Sequence, residues 1–338
     1  MCRAAFTACL ISLLACGSAT AVAEGHPAFR VGGLLFGDLY HVPSHHTEAG
    51  DGASGAVVRR GYLTFDSEFS KQWFGRLRFE VNQSGDFETY DFDAQTKDLY
   101  LGRKLGDHRF LLGLSPTPTF DVIESVWGLR YLARTPLDLQ GVASRDTGLS
   151  VQGPLGSSGT LRYRFMYGAP VDFGGDSNDR ERWMGAVGWR PAAGWTIDLY
   201  ADYEALDGPR DRSTRQLFLG YQSDGWRWGL QYSNQDRQED PPLELASAFF
   251  VSPVTERASL VGRVDRLLEP SPRGDGISYL PMDPSARATM MFAGLEFEVA
   301  PHFRLTPNVV CTRYDRNEQG VRPEPDVHLR LTLFIDFE

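Results

Sequence analysis

In the closing stretch of the chain, Asp326 to Glu338, apolar residues stand at every second position: Leu329, Leu331, Leu333, Ile335 and Phe337. His328, Arg330, Thr332, Phe334 and Asp336 alternate with them. A period of two is that of a β-strand with one apolar and one mostly polar face. In a soluble sandwich the apolar face would meet a second sheet. In a transmembrane barrel it would meet lipid, and the polar face would line a lumen. The rest of the sequence is read against these two possibilities.

The chain has 338 residues, of which 42% are hydrophobic and 23% charged. Beyond the N-terminus no run approaches the ~18 uninterrupted apolar residues that a helical span requires, so a helical membrane protein is excluded. A formal net charge of -10 argues against nucleic acid as a partner, because phosphate neutralisation requires a basic face. The first residues have the form of an export signal. Arg3 supplies a positive start, Ala4 to Ala15 an apolar core, and Ala21-Val22-Ala23 a small-x-small cleavage site. Cleavage after Ala23 would leave the mature chain one unit more negative and remove Cys2, Cys9 and Cys16. Cys311 would remain alone, with no partner for an internal disulfide. Leu13-Leu14-Ala15-Cys16 also resembles a lipoprotein box that would lipidate Cys16; both alternatives export the protein.

From Phe29 onward one theme repeats. Gly61, Leu63 and Phe65 alternate with Arg60, Tyr62, Thr64 and Asp66. Leu77, Phe79 and Val81 alternate with Arg76, Arg78 and Glu80, and Leu161, Tyr163, Phe165 and Tyr167 with Arg162, Arg164 and Met166. About sixteen such segments of roughly 9–13 residues follow one another, close to the about 9–11 residues of a tilted transmembrane strand. Leu243 to Val251 is the weakest of them; dropping it with a neighbour would leave about fourteen. The connections alternate short and long. Long ones are expected at 41–57, 84–96, 115–143, 169–181, 206–214, 235–242, 269–287 and 315–326. Short turns on one side and long loops on the other are the pattern of outer-membrane barrels, whose even strand number places both termini on the short-turn side. Aromatics near strand ends, among them Tyr40, Phe69, Trp73, Trp189, Trp195, Trp226, Tyr314 and Phe337, are expected as interfacial girdles.

The polar faces carry many charges. In this register Arg60, Arg76, Arg78, Arg109, Arg162, Arg164, Arg227, Arg263 and Arg330 point away from the apolar side. So do Asp66, Glu80, Asp98, Asp198, Asp202, Asp265, Glu296, Glu298 and Asp336. A barrel of ~16 strands is too wide for side chains to fill, so these residues are expected to line a water-filled pore. The arginines concentrate before Gly168, which points to a basic wall and a preference for anions. The longest connection, Ser115 to Ala143, holds too many apolar residues for an exposed loop. Helical spacing runs from Asp121 to Arg134 after a Pro-Thr start. The segment is expected to fold into the lumen as a constriction, bringing Asp121 and Glu124 near Arg130 and Arg134. A helix packed on the barrel rim is the other possibility.

Other outer loops are acidic, with Asp86, Glu88, Asp91 and Asp93 in one, Asp172, Asp176, Asp179 and Glu181 in another, and Asp236, Glu239, Asp240 and Glu244 in a third. Solvated loops are the simplest account; divalent ions bridging to lipopolysaccharide are another. The spacing of Asp172 to Asp179 is not that of a calcium loop. No phosphate loop, Gly-x-Ser-x-Gly elbow or cysteine pair appears, so neither a cofactor nor a catalytic set is read. His45-His46 is an adjacent pair in a loop, whereas metal ligands on one face more often stand two or four apart. His108 or His328 with a serine is the one geometrical route to a barrel-rim hydrolase.

Several short motifs resemble the phosphate-selective porin O and P family of Gram-negative outer membranes. They are Val58-Arg59-Arg60-Gly61-Tyr62-Leu63, the segment Leu114 to Pro136, Ser144-Arg145-Asp146-Thr147-Gly148-Leu149 with Gly153 and Tyr163-Arg164, and Arg330 to Phe337. The resemblance implies a 16-stranded barrel, usually trimeric, that passes anions or small solutes by diffusion. Two features depart from it: the chain ends on Glu338 after Phe337, and no outer loop carries a lysine-arginine cluster. The expectation is therefore an all-β, up-and-down outer-membrane barrel acting as a passive channel, with membrane lipid, lipopolysaccharide and small solutes as its partners. A non-conducting barrel used for adhesion or as a scaffold is the alternative.

Overall fold

The computed structural model describes residues 28–85, 87, 91–142, 144–169, 181–206 and 210–337. The export segment 1–23 lies outside these, as do Asp86, Glu88, Asp172, Asp176 and Asp179 of the acidic loops. Sixteen antiparallel strands form one closed barrel. They are β1 (Ala28–Ser44), β2 (Ser54–Glu68), β3 (Trp73–Gln83), β4 (Phe92–Leu105), β5 (His108–Pro116), β6 (Arg145–Leu155), β7 (Leu161–Gly168) and β8 (Glu181–Trp189). The second half comprises β9 (Trp195–Ala205), β10 (Arg212–Ser223), β11 (Trp226–Asp236), β12 (Leu243–Thr255), β13 (Ala258–Leu267), β14 (Ala288–Ala300), β15 (Phe303–Tyr314) and β16 (Asp326–Phe337). Each strand pairs with its neighbours in sequence, and β1 closes on β16 from Gly33↔Phe337 to Ser44↔Val327.

Alternation decides which residues face out. Leu35, Leu39, Leu63, Leu99, Leu112, Leu199, Leu217, Leu230, Leu329 and Ile335 stand exposed on the outer surface. An apolar belt this extensive is stable only against hydrocarbon. The short-turn rim carries Phe69, Trp189, Trp195, Trp226 and Phe337. Toward the long loops, Tyr203 and Tyr232 donate their hydroxyls to Asp211 and Glu244. Amphipathic rings of this kind suit a boundary between lipid and water. Tyr40 and Tyr314 differ from the girdle expectation. Tyr40 shares the inner parity of Phe36 and Asp38, and the buried Tyr314 donates to Asp326.

The weakest strand by sequence, Leu243 to Val251, is a full member, paired with both β11 and β13. Its alternation was faint because its inner face is apolar as well: Leu243, Leu245, Phe249 and Val251 are all buried. β1 and β2 run longer than expected, 17 and 15 residues, so the first long connection shrinks to 45–53. Bulges interrupt several of the ladders, and two of them place charged residues. Pairing steps from Phe36↔Arg60 to Gly37↔Val58, leaving Arg59 as an extra residue in β2. It steps from Arg78↔Asp98 to Phe79↔Thr96, leaving Lys97 extra in β4. Such a residue escapes strict alternation. Arg59 and Lys97 accordingly reach inward together with Arg60 and Asp98, pairing with Asp38 and Glu80.

The outer-belt assignment is open to a direct test. Leu331→Arg, in the middle of β16, is expected to destabilise the barrel by about 2–4 kcal/mol. The measurement is urea unfolding in lipid vesicles, followed by heat-modifiable gel mobility. An unchanged midpoint would mean that this face does not meet hydrocarbon.

Candidate functional site

The third long connection, which spans 117–144 between β5 and β6, enters the barrel. It holds two short helices, α1 (Asp121–Trp127) and α2 (Pro136–Leu139). The helix expected from Asp121 to Arg134 stops after two turns because Gly128 adopts a left-handed conformation (φ 66°) and its N–H caps Glu124 O. A Cβ there would strike the Arg227 guanidinium. α1 packs on the inner faces of β10 to β12. The Trp127 ring lies 5.0 Å from Phe249 and 6.5 Å from Phe292, and it is fully buried. Trp127 Nε1 donates to Ala133 O at 2.9 Å. The apolar residues that made this loop unusual in the sequence, including Ile123, Leu129, Leu132 and Leu137, form the core of the barrel interior.

After α1 the backbone leaves regular structure, and its carbonyls require donors. Arginines from the wall supply them. Arg59 donates to Tyr131 O and to Leu132 O (3.1 Å), Arg330 to Leu132 O (3.2 Å), and Arg263 to Arg134 O (2.6 Å). Arg263 and Arg330 point inward as expected. They lie beneath the loop, only 3% and 6% exposed, and act as anchors instead of facing open water. Arg263 also pairs with Asp265 and stacks over Trp127, while Arg330 binds Asn308.

The other expected lining residues occupy different surroundings. Arg60 pairs with Glu80 at 2.8 Å, Arg76 with Asp66 at 2.7 Å, and Arg78 with Asp98 at 3.3 Å. Arg164 bridges Asp198 of the wall (2.6 Å) and Asp121 of the loop (3.0 Å). Arg109 is exposed near the short-turn rim, 4.7 Å above the Phe74 ring, and Arg162 is exposed on β7. Within the loop, Arg130 binds Glu124 (2.6 Å) and Asp138 (2.7 Å). Arg134 donates to Asp138 O at 3.4 Å.

Sequence alternation missed Arg59 and Lys97, which a strict period places outside, and it gave no role to Arg145. Lys97 makes a second ion pair on Glu80 (3.1 Å), and Arg145 a second one on Asp98. Each of these carboxylates is buried, and each therefore holds two cations. The wall from β2 to β6 keeps an excess of positive charge, while the loop contributes Asp121 and Glu124. Arg59, Arg60, Arg130 and Arg134 converge with Tyr279 on a cavity of about 20 Å³, room for a single water-sized occupant.

A second connection also turns inward, unforeseen in the sequence. In 268–287, Ile277, Leu280 and Met282 are buried. Ser271 donates to Gln140 Oε1 at 2.6 Å, and Tyr279 donates to the backbone carbonyls of Arg59 and Gln83. Three apolar residues scattered among prolines and glycines give little periodic signal.

The hydrolase geometry does not assemble. His108 Nδ1 meets the Tyr163 hydroxyl (3.0 Å), and His328 is packed between His45 and Phe87. Neither histidine pairs with a serine among the described residues.

This closed barrel of sixteen strands, with a long third loop turned inside, is the fold of Gram-negative outer-membrane porins. An anion-selective porin from Comamonas acidovorans matches with a TM-score of 0.63 at 14% identity, over 92% of this chain and all of that one. OmpF of Salmonella typhi, determined in complex with daunomycin, matches with a TM-score of 0.65 at 10% identity, over 91% of this chain and 97% of that one. OmpT of Vibrio cholerae matches with a TM-score of 0.62 at 11% identity, over 94% of this chain and all of that one. No protein-family model and no curated protein sequence matches the chain.

The ion pairs of the loop set its response to acid. Burial raises the Asp138 carboxyl, but Arg130, Arg134 and Arg60 more than offset this and hold it at about 2. A depressed carboxyl contributes stability above its unfolded value of 3.8 that is lost as pH falls toward 2. Limited pepsin digestion is expected to spare the 128–142 segment at pH 4 and to cut it as pH approaches 2. Cleavage already at pH 4 would show that these pairs do not secure the loop.

Proposed function

We propose that this protein is an outer-membrane channel through which small hydrophilic solutes and ions diffuse, with a preference for anions. Support comes from the porin fold, the exposed apolar belt and the inward third loop, which acts as the constriction. The observation that carries the anion preference is the doubling of cations on Glu80 and Asp98. Burying a carboxylate is tolerated when it is paired, and a second cation on the same carboxylate leaves net positive charge facing the passage. Asp121 and Glu124 of the loop, partly exposed and paired with Arg164 and Arg130, supply the opposite sign. The local field between acids and cations orients dipolar solutes as they pass. The resemblance to phosphate-selective porins fits this sign.

No chemical step is required of such a channel; its selectivity is electrostatic and steric. A homotrimer fits the outer surface of β2 to β5, where Phe65, Leu77, Leu99 and Leu112 surround a depression of about 1170 Å³ beside Gly75 and Gly113. The acidic outer loops fit lipopolysaccharide held through divalent ions. One observation favours the second reading, a non-conducting barrel: 268–287 packs against the third loop and narrows the mouth from a second side.

Conductance in planar bilayers separates the two readings. Discrete single-channel steps are expected, and none would be seen for a sealed barrel. Removing 121–134 is expected to enlarge the steps; unchanged steps would end the constriction role. Selectivity has a gentler probe. Lys97→Gln with Arg78→Gln removes two positive charges yet leaves Glu80 with Arg60 and Asp98 with Arg145. The reversal potential in a salt gradient is expected to shift toward cations, and an unchanged potential would count against the basic wall.

A further inference from the structure

At the long-loop end of the seam between β1 and β16, two histidines and an aspartate converge. We propose that His45, His46 and Asp326 form a binding site for a divalent transition-metal ion of the zinc type, which clasps the first long loop to the start of the last strand. One ligand atom from each of His45, His46 and Asp326 lies within 4.8 Å of the other two. Asp326 Oδ1 stands 3.8 Å from His45 Nε2 and 2.8 Å from His46 Nδ1. Metal–ligand bonds of about 2.0–2.1 Å in tetrahedral geometry place neighbouring ligand atoms about 3.4 Å apart, between those two separations.

The pocket is built rather than incidental. The three side chains are 1%, 4% and 0% exposed. His45 Nε2 is buried, has no hydrogen-bond partner and faces Asp326. A buried polar atom in that state is destabilising unless something binds it. Outer contacts hold each ligand. His46 Nε2 lies 2.7 Å from Asp275 Oδ1, the carboxylate–histidine arrangement that orients a metal-bound imidazole. The Thr47 N–H donates to His45 Nδ1 at 3.0 Å, and Thr47 Oγ1 lies 2.9 Å from the same nitrogen. A metal on Nε2 moves the ring proton to Nδ1, so that Oγ1 accepts it and the Thr47 N–H gives up its bond to that nitrogen. Tyr314 donates to the second Asp326 oxygen.

Two imidazole nitrogens and one carboxylate oxygen suit zinc, copper or nickel better than calcium or magnesium, which take oxygen ligands. The ion would take the place of the hydrogen bond between His46 Nδ1 and Asp326 Oδ1. Adjacency had argued against the pair as ligands. That rule concerns residues on one regular face, whereas 45–53 is a turn in which the two rings stack, with centroids 4.4 Å apart. The third ligand is 280 residues away along the chain and arrives only because the barrel closes.

The test is calorimetric titration of the full mature protein, refolded in detergent, with zinc chloride. One ion per chain is expected. His46→Ala should abolish binding, and Asp275→Asn should weaken it about 10–100-fold. His302→Ala, at an exposed histidine on the opposite rim, should leave it unchanged. No heat of binding to the wild type, or equal affinity in His46→Ala, would overturn the site. If His46→Ala loses the unboiled, folded band on a gel, cobalt bound to the wild type decides. Intense visible bands of tetrahedral cobalt support the site, and the weak spectrum of an octahedral aqua ion overturns it.

Discussion

Within hydrocarbon, every backbone N–H and C=O must find its partner inside the protein, because each unpaired group costs several kcal/mol. For a sheet this leaves one solution, closure. β1 meets β16 along twelve-residue β16 from Gly33↔Phe337 to Ser44↔Val327, and no edge remains. Closure then fixes the parity of every strand. A slip by one residue would turn Leu329, Leu331, Leu333 and Ile335 into the lumen and Arg330 into lipid. The same closure joins residues from the two ends of the chain, so Asp38 of β1 lies beside Arg330 of β16 and His46 beside Asp326.

The interior meets a related constraint. Irregular backbone at membrane depth is tolerated only where protein or trapped water satisfies it. The third loop breaks regular structure at Gly128, and its next carbonyls fall on Arg59, Arg330 and Arg263. Arginine suits this task because its planar fork carries five donors and stays charged when buried. Each anchor keeps an acid within reach, Asp38 for Arg59 and Arg330 and Asp265 for Arg263. Trp127 adds an apolar anchor beside Arg263, against Phe249 of β12. The loop is thus held from β1 and β2, from β10 to β14 and from β16.

Much of this was legible in the sequence. Period two separated inner from outer faces on β3, β7, β9 and β16, and the rhythm of short and long connections predicted the even strand count and the long third loop. The misses have specific causes. β12 looked weak because both of its faces are apolar, the inner one covering α1. Arg59 and Lys97 were not among the expected inward residues because a bulge adds a residue, and a bulge leaves no mark in a hydrophobic pattern. Tyr40 and Tyr314 were counted with the girdle because position along a strand does not reveal which face a ring takes. His45, His46 and Asp326 could not be grouped at all, since only closure brings them together.

The arginines on the inner face divide by what they touch, and the division bears on selectivity more than the overall charge does. Arg59, Arg263 and Arg330 face carbonyls and acids beneath the loop and are shielded from the passage. Arg60, Arg78, Arg145 and Lys97 stand against Glu80 and Asp98, two cations to each carboxylate. The acidic loops at the mouth give the chain its negative total, but exposed charges are screened beyond about 8 Å at physiological ionic strength. Charges on a low-dielectric wall within reach of a passing ion are screened far less. An acidic protein can therefore carry a basic patch on its inner wall, and under the channel reading proposed above the sign an ion meets is set by a few residues on β2, β3, β4 and β6, of which Lys97 reaches inward through a bulge.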